Sequence, residues 1–179
     1  MEYFETTLNS KTVFSGRILN LRIEEVRLPD GKTSTREIVD HPGAVAVVAM
    51  NEKKEVLMVR QFRKPVESVL LEIPAGKLEK GEDKEECAQR ELMEETGFFA
   101  RDLRHLTDFY TSPGFSSEIM HLFLARDLES KPKEADEDEY IQMEEVPFEE
   151  AIEKVYTGQI RDAKTIVGLL LAYRFIEGA

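Results

Sequence analysis

Residues 76–98, with the sequence GKLEKGEDKEECAQRELMEETGF, constrain this chain more than any other segment. On a helix, Glu91 and Glu95 lie four residues apart and share one face, with Glu94 one position round. Carboxylates brought this close repel one another unless a cation lies among them. A hard divalent metal ion with oxygen ligands explains the pattern, and the obvious work for such an ion is on phosphate. The segment therefore predicts an enzyme.

The neighbours of these acids have their own predicted tasks. Ala88 and Leu92 form an apolar stripe that would hold the helix on a sheet. Arg90 is placed to pair with the acidic side chains and restrain their rotamers. The loop that starts at Gly76 can bring a backbone carbonyl, such as that of Ala75, close to the same ions. The plain alternative is a solvated acidic helix face.

Composition limits the classes of partner. The chain has 179 residues and a formal net charge of −12, which argues against binding a nucleic-acid polymer because such binding needs a basic surface. A small anionic substrate is still allowed, since bound cations and a few arginines can grip phosphate. The length fits one domain with a small appendage.

The sequence also indicates a compartment. No apolar run approaches the roughly 20 residues that a membrane helix needs, and the first residues show no basic-then-apolar signal pattern. The lone Cys87 cannot form an internal disulfide and suits a reducing environment. On the helix, we expect Cys87 to serve packing rather than chemistry. The expected location is the cytoplasm.

The order of predicted elements indicates an α+β fold. Residues 1–42 form a β-rich N-terminal piece with a hairpin turn at Pro29–Lys32, and His41-Pro42-Gly43 separates it from a main domain at residues 43–179. Continuous or alternating apolar runs predict strands at Ala44–Met50, Glu55–Phe62, Val69–Ile73, Leu103–Tyr110, Ile119–Ala125 and Tyr140–Val146.

Three helices complete this prediction. The first begins near Asp83, an N-cap residue, and ends before Gly97. The other two cover Phe148–Tyr156 and Ala163–Ile176, and in the last we expect a buried side made of Leu169, Leu170, Tyr173 and Ile176. Asp127–Glu139 is charged and is predicted to be a loop, as is Gly76–Gly81.

The acidic segment resembles a complete Nudix box. The matching residues are Gly76, Glu82, Arg90, Glu91, Leu92, Glu94, Glu95, Gly97 and Phe98. The resemblance implies the Nudix fold, an α/β/α sandwich with a mixed sheet, in which the box forms a loop–helix–loop. It also implies hydrolysis of a nucleoside diphosphate linked to another moiety, assisted by Mg²⁺ or Mn²⁺.

The same resemblance implies roles for the box residues. Glu91 and Glu95 would be metal ligands together with the Ala75 carbonyl, holding two or three ions. Glu94 and Glu82 would support them, and Glu94 and Arg90 are assigned to the catalytic group.

A second signal narrows the substrate. Thr111–Glu118 contains a Ser-Pro-Gly turn whose Pro113 lies sixteen residues after Gly97. Within the Nudix superfamily such a turn resembles the ADP-ribose pyrophosphatase group, although alone it is also an ordinary turn between strands. Further matches are Arg36-Glu37, Gln61-Phe62-Arg63 and the acidic loop before the last strand.

The matched residues outside the box are candidates for substrate binding. Arg63 is expected to clamp a phosphate bidentately. Arg36 and Glu37 would frame the adenine or a ribose, although a strand-surface ion pair explains Arg36 equally well. Ser112 and Gly114 offer a short side chain and backbone amides near the terminal ribose.

The acidic loop at residues 134–139 is expected to contribute two further residues. The resemblance implies a metal ligand and a general base there, carried over as Glu139 and Glu137 respectively. Because acids alternate along the loop, the register can differ by two residues, and which acid is the base stays open. A base on a loop can act once the site has closed.

The predicted reaction converts ADP-ribose and water to AMP and ribose 5-phosphate. The alternatives are another nucleotide sugar, such as GDP-mannose or ADP-glucose, and a non-catalytic nucleotide-sensing module. The resemblance also implies a homodimer in which the N-terminal pieces are exchanged. No membrane and no nucleic-acid partner is expected.

Overall fold

The chain is described by a computed structural model that covers residues 3–131 and 140–177, without the side chains of residues 176 and 177. Contacts divide these residues into two compact units. The first contains the chain through Gly43 together with Tyr110–Ile119, and the second contains Ala44–Phe109 and the chain from Met120 onward. The predicted domain division after residue 42 stays a prediction.

The first unit is built on an antiparallel three-stranded sheet in the order β1–β2–β3, with β1 at Thr6–Ser15, β2 at Asn20–Arg27 and β3 at Thr33–Asp40. The predicted hairpin is formed by β2 and β3, and its turn contains Gly31 with a φ of 87°. Every residue of β1 is exposed.

The second unit contains a seven-stranded sheet. Its main path is β10–β5–β4–β9–β8, while β6 pairs with β5 and β7 pairs with β4. The strands are β4 at Ala44–Met50, β5 at Glu55–Arg63, β6 at Ser68–Glu72, β7 at Ala75–Lys77, β8 at Phe98–Tyr110, β9 at Ile119–Ser130 and β10 at Ile141–Pro147. Because β4 and β9 run parallel and the pairs of β4 with β5 and β7 are antiparallel, the sheet is mixed.

Helices cover both faces of this sheet. Alternate residues of β4 explain why, because Val45 and Val47 pack with Leu92 of α1 (Lys84–Thr96) on one face. Ala46 and Val48 pack on the other face with α2 (Phe148–Tyr156) and α3 (Ala163–Glu177). The run Ala44–Met50 is therefore buried on both sides, as its continuous apolar character predicts. This is the α/β/α arrangement that the resemblance of the acidic segment implies.

The ends of α1 follow local signals. Asp83 accepts hydrogen bonds from the backbone N–H groups of Glu85 and Glu86, at 2.8 and 3.4 Å, and so caps the first turn. Gly97 ends the helix in the left-handed conformation with a φ of 78°, and its N–H donates to the Met93 carbonyl. Both predicted ends are confirmed, as is the burial of Cys87.

Several details of the prediction are wrong, among them the start of β8, which lies at Phe98 and not at Leu103. On α3, Leu169 is buried as predicted, but Leu170 and Tyr173 are 40% and 41% exposed, because the buried stripe runs through Thr165, Leu169 and Ala172. The predicted burial of Ile176 lies outside the described side chains. The first part of the predicted loop at Asp127–Glu139 belongs to β9, which continues to Ser130, and residues 132–139 lie outside the described residues. The predicted loop at Gly76–Gly81 starts as strand β7, which pairs with β4.

The extended end of β9 is explained by ion pairs between neighbouring strands. Arg101 of β8 contacts Glu129 at 3.1 Å, and Arg126 of β9 contacts Asp102 at 2.9 Å. Cross-strand pairs of opposite charge stabilise a sheet modestly even where its faces are exposed. In the part of the chain that the structure describes, no helix is long and apolar enough to cross a membrane.

Candidate active site

Arg90 of α1 gathers three box carboxylates, two from the same helix and one, Glu82, from the loop before it. Its Nε and Nη2 donate to the two oxygens of Glu82 at 2.8 and 3.0 Å. Its Nη1 donates to Glu91 at 2.7 Å and to Glu94 at 3.0 Å. The predicted pairing of Arg90 with acidic neighbours is confirmed. One guanidinium therefore sets the orientation of three carboxylates, which would otherwise repel one another.

These contacts shift the protonation equilibria of both partners. The hydrogen bonds from Arg90 lower the pKa of Glu82 from 4.5 to about 2, although partial burial opposes the change. The same hydrogen bonds hold the pKa of Arg90 above its ordinary value. Burial raises the pKa of the neighbouring Cys87 thiol to about 12, so this thiol remains protonated and unreactive near neutral pH.

Gly76 provides the space that Glu91 occupies. A Cβ atom added at residue 76 would lie 1.9 Å from Glu91 Cδ and 2.0 Å from Glu91 Oε1, far inside any allowed contact. Glycine is therefore required here by the close approach of the carboxylate to the backbone.

Glu95 reaches the same short strand. Its Oε2 accepts a hydrogen bond from the Ala75 N–H at 3.0 Å. The structure thus brings Glu91 and Glu95 to the short strand at Ala75 and Gly76. It also places Glu82, Glu91 and Glu94 around the guanidinium of Arg90. The side chains gathered here offer carboxylate oxygens, which are ligands that Mg²⁺ prefers, so these residues fit a site for a hard divalent cation.

Arg63 belongs to a second, buried network that sequence analysis did not anticipate. Its Nε and Nη2 donate to the two oxygens of Glu72 at 2.8 and 2.7 Å. Glu72 is 1% exposed and also accepts from Lys164, which lies 3.1 Å from Asp162. Burial alone would raise the pKa of Glu72, but the hydrogen bonds from Arg63 and the charge of Lys164 outweigh it and lower the pKa.

This network is anchored by the start of α3. Asp162 accepts from the N–H and the hydroxyl of Thr165, at 3.0 and 2.6 Å, while the same hydroxyl accepts from the Ile73 N–H at 2.9 Å. The signal that could have revealed Glu72 is a single acid inside the apolar strand Val69–Ile73. A carboxylate in a buried strand needs a cationic partner.

The remaining candidates of the first unit form two groups. Arg36 donates its Nε to Glu5 at 2.9 Å and its Nη1 to Ser34 at 3.0 Å, while Glu37 is exposed on β3. The Ser112 carbonyl accepts from the N–H groups of Phe115 and Ser116, at 3.1 and 2.9 Å, and so closes the predicted turn.

Around this turn, backbone hydrogen bonds join the segment to β3. Val39 donates to the Phe115 carbonyl at 2.7 Å, and Ser117 donates to the Val39 carbonyl at 2.9 Å. Apart from its two chain neighbours, no described residue comes within 4 Å of the Cβ position at Gly114, so the tip of the turn is open to the described part of the chain. The two loop candidates, Glu137 and Glu139, lie outside the described residues.

Comparison with known proteins agrees with this geometry. The family model of the NUDIX domain matches residues 40–167, and that of the nucleoside diphosphate sugar hydrolase N-terminal domain matches residues 5–39. An ADP-ribose pyrophosphatase from Bacillus subtilis (strain 168) is 52% identical over 163 residues, which cover 90% of this chain and 88% of that protein.

Two further matches cover most of the chain. The methanol dehydrogenase activator of Bacillus methanolicus is 47% identical over 167 residues, 92% of this chain and 90% of that protein. The crystal structure of an ADP compounds hydrolase matches with a TM-score of 0.88 at 25% identity, covering 99% of this chain and 97% of that one. The chain is therefore a hydrolase of pyrophosphate bonds that belongs to the Nudix family, in the ADP-ribose pyrophosphatase group.

Proposed function

We propose that this enzyme hydrolyses ADP-ribose to AMP and ribose 5-phosphate in a reaction that depends on Mg²⁺. The proposed chemistry rests on the clustering of three box carboxylates around Arg90, namely Glu91 and Glu94 of α1 and Glu82 just before it. The choice of ADP-ribose is supported by the 52% identity to a protein named for that activity.

The metal-binding part of the proposal uses Ala75, Glu91 and Glu95, with Glu139 as a further ligand. Bound Mg²⁺, in two or three ions, or Mn²⁺ in its place, lowers the pKa of a coordinated water and neutralises charge on the diphosphate. Arg90 keeps Glu91 and Glu94 oriented for this task and limits their mutual repulsion. Glu137 is proposed as the base that takes a proton from the attacking water.

Arg63 is proposed to hold the diphosphate in line for attack. Support comes from its present partner, because Glu72 grips the guanidinium with two hydrogen bonds and orients it before substrate arrives. An arginine fixed in this way loses little rotational freedom on binding an anion. Glu72 is thus a positioning residue in this proposal.

Arg36, Glu37, Ser112 and Gly114 are proposed to bind the nucleoside and the terminal ribose. Two observations support this part. Glu37 is exposed and can accept from an amine, and the open tip at Gly114 leaves room for a sugar.

The proposal includes a cytoplasmic homodimer that exchanges its N-terminal pieces. In its support, β1 exposes the apolar side chains of Leu8, Val13 and Phe14, and apolar surface of this kind commonly marks an interface between proteins. Sedimentation at micromolar concentration tests it, and a clean monomer would contradict the dimer.

The substrate is tested with a panel of ADP-ribose, ADP-glucose and GDP-mannose, comparing kcat/KM with excess Mg²⁺. We expect ADP-ribose to give the largest value, with AMP and ribose 5-phosphate as products, and EDTA to abolish turnover. A larger kcat/KM for ADP-glucose or GDP-mannose would identify that compound as the substrate and would leave the proposed diphosphate hydrolysis unchanged. The variants Glu91→Gln, Glu95→Gln and Glu137→Gln should each lower kcat severely in a folded chain, and full activity in any of them refutes the role of that residue.

A second candidate function is the activation of a dehydrogenase. It is favoured by the 47% identity to a protein named methanol dehydrogenase activator, with similar coverage of both chains. The test adds the purified chain to a purified methanol dehydrogenase and measures its rate with and without Mg²⁺. A rate unchanged by the chain excludes this function, and stimulation lost in the Glu95→Gln variant would link it to hydrolysis.

A further inference from the structure

Two histidines and an aspartate form a compact cluster outside the box. His105 Nε2 lies 2.5 Å from Asp108 Oδ1, and His121 Nδ1 lies 2.7 Å from the same oxygen. One potential ligand atom from each side chain lies within 4.8 Å of the other two. Neither the Nudix box nor the proposed substrate contacts use these residues.

The cluster is held at a defined place on the sheet. His105 and Asp108 lie on β8 and His121 lies on β9, its neighbour in the sheet. The His105 ring packs edge-on against Phe123 at 5.4 Å between ring centres, and Phe123 belongs to the core beneath α1. The cluster therefore lies on the face that α1 covers.

Strand register relates the cluster to the box. His121 pairs with Val45, and Val45 pairs with Gly76 on its other side. Since paired strands lie about 4.8 Å apart, the backbones at His121 and Gly76 are separated by roughly 10 Å. The cluster is thus a neighbour of the box and shares no ligand with it.

We propose that His105, Asp108 and His121 bind a divalent transition metal ion such as Zn²⁺. Two imidazoles and one carboxylate are a common protein ligand set for Zn²⁺, and they leave a fourth tetrahedral position for water or a solute. Imidazole nitrogen favours Zn²⁺ and its neighbours, whereas Mg²⁺ and Ca²⁺ favour oxygen. The cluster therefore selects a different class of ion from the all-oxygen box site.

The hydrogen bonds within the cluster can be replaced by bonds from the same atoms to a metal ion. His105 Nε2 and His121 Nδ1 both face Asp108. When these two nitrogens bind the ion, each neutral imidazole carries its proton on its other ring nitrogen. The three side chains are 35%, 35% and 14% exposed, so small rotations can bring the donor atoms to the 2.0–2.2 Å that Zn²⁺ requires. Lys84 lies 3.7 Å from the other carboxylate oxygen of Asp108, which leaves Oδ1 to face the ion.

A metal ion at this place would join β8 to β9. Because the ion binds the folded chain, it stabilises that chain once the concentration of free Zn²⁺ exceeds the dissociation constant. The stabilisation then grows with the logarithm of that concentration. We therefore expect Zn²⁺ to raise the Tm of the chain while the box site is filled with Mg²⁺.

The histidine content of the chain makes a direct test possible. The sequence contains three histidines, and the third, His41, lies in the other compact unit. Nitrogen-labelled imidazoles are followed by NMR as Zn²⁺ is added to the full chain in excess Mg²⁺. We expect one equivalent to shift the signals of His105 and His121 and to leave that of His41 in place. No shift, or an equal shift of all three, overturns the proposal.

Variants test the ligand set independently. Calorimetry with Zn²⁺ in excess Mg²⁺ should show binding more than about 100-fold weaker in Asp108→Asn and in His121→Gln, since even changes around a ligand cost 10- to 100-fold. His41→Gln is the matched control and should bind like the parent, as should Glu95→Gln.

Unchanged binding in Asp108→Asn contradicts the proposal, as does loss of binding in Glu95→Gln alone, which would assign the ion to the box. Circular dichroism verifies that each variant is folded. If a variant is unfolded, the NMR experiment on the parent chain alone tests the proposed metal site. Failure of this site would leave the proposed hydrolysis untouched.

Discussion

Gly76 and Glu91 are in such close contact that the Glu91 carboxylate occupies the position of the missing side chain, with Oε2 2.3 Å from an ideal Cβ. Strand β7 presents residue 76 to the face that α1 covers, and the helix brings Glu91 down onto it. The two residues are fifteen positions apart in the sequence and belong to different elements. Their contact explains why the box requires glycine at one position and glutamate at the other.

The Gly76→Ala variant should lose most of its turnover while it remains folded. The added methyl group must displace the Glu91 carboxylate, because the neighbouring backbone of β7 is held by β4. Overpacking of this kind costs about 1–3 kcal/mol of the free energy of unfolding. The measurement is kcat in excess Mg²⁺ together with a urea titration. Lys80→Ala, an exposed change in the loop that follows β7, is the control. Full activity of Gly76→Ala would contradict the close contact between residue 76 and Glu91.

Replacing Arg90 by lysine should reduce activity although it keeps the positive charge. Lysine cannot make the two parallel hydrogen bonds to Glu82 while it also reaches Glu91 and Glu94. Loss of a group that orients metal ligands typically costs 10- to 100-fold, so we expect kcat to fall about that far and more Mg²⁺ to be needed.

The measurement for this variant is kcat as a function of Mg²⁺ concentration. Arg101→Lys, at an exposed pair with Glu129, is the matched control and should retain parental activity. Equal Mg²⁺ dependence in both variants would show that the hydrogen bonds of Arg90 are not required.

The stability of the chain should depend on pH through Glu82. Its pKa is about 2 in the folded chain against an ordinary value of 4.5, chiefly because of Arg90. A carboxyl group whose pKa is lowered on folding stabilises the chain fully above its unfolded pKa, and this contribution is lost as the pH falls from 4.5 towards 2.

Urea unfolding of the parent and of Glu82→Gln at a series of pH values measures this contribution. The difference in the free energy of unfolding should be constant above pH 4.5 and shrink below it. A difference that grows on acidification would contradict the assignment.

Glu72→Ala should be among the most destabilising single changes in the chain. It removes the carboxylate that pairs with both Arg63 and the buried Lys164 ammonium, and leaves Lys164 with Asp162 at 3.1 Å. Breaking a buried ion pair costs about 3–5 kcal/mol of the free energy of unfolding, since the remaining charge stays buried. Glu144→Ala is the control, because its bidentate pair with Arg60 is exposed and should contribute at most about 1 kcal/mol. A similar loss of the free energy of unfolding in the two variants would show that burial does not make the Glu72 ion pairs more important than the exposed pair.

The sequence alone predicted the features that depend on neighbouring residues. The ends of α1 follow from Asp83 and Gly97, and the bounds of α2 match the predicted Phe148–Tyr156. The pairing of Arg90 with Glu94 follows from their spacing of four residues on one helix. These are short-range effects, in which side chains a few positions apart cap or contact one helix whatever the rest of the chain does.

Only the tertiary structure decided which distant side chains meet. The Lys164 ammonium pairs with Glu72 from 92 positions away, and the contacts of His121 with Asp108 depend on the order of β8 and β9 in the sheet. On the predicted buried side of α3, Leu169 is buried while Leu170 and Tyr173 are exposed, because a helical pattern fixes a period while the packing partner fixes its phase. Strand order and register set these contacts, and neither is written in the local sequence.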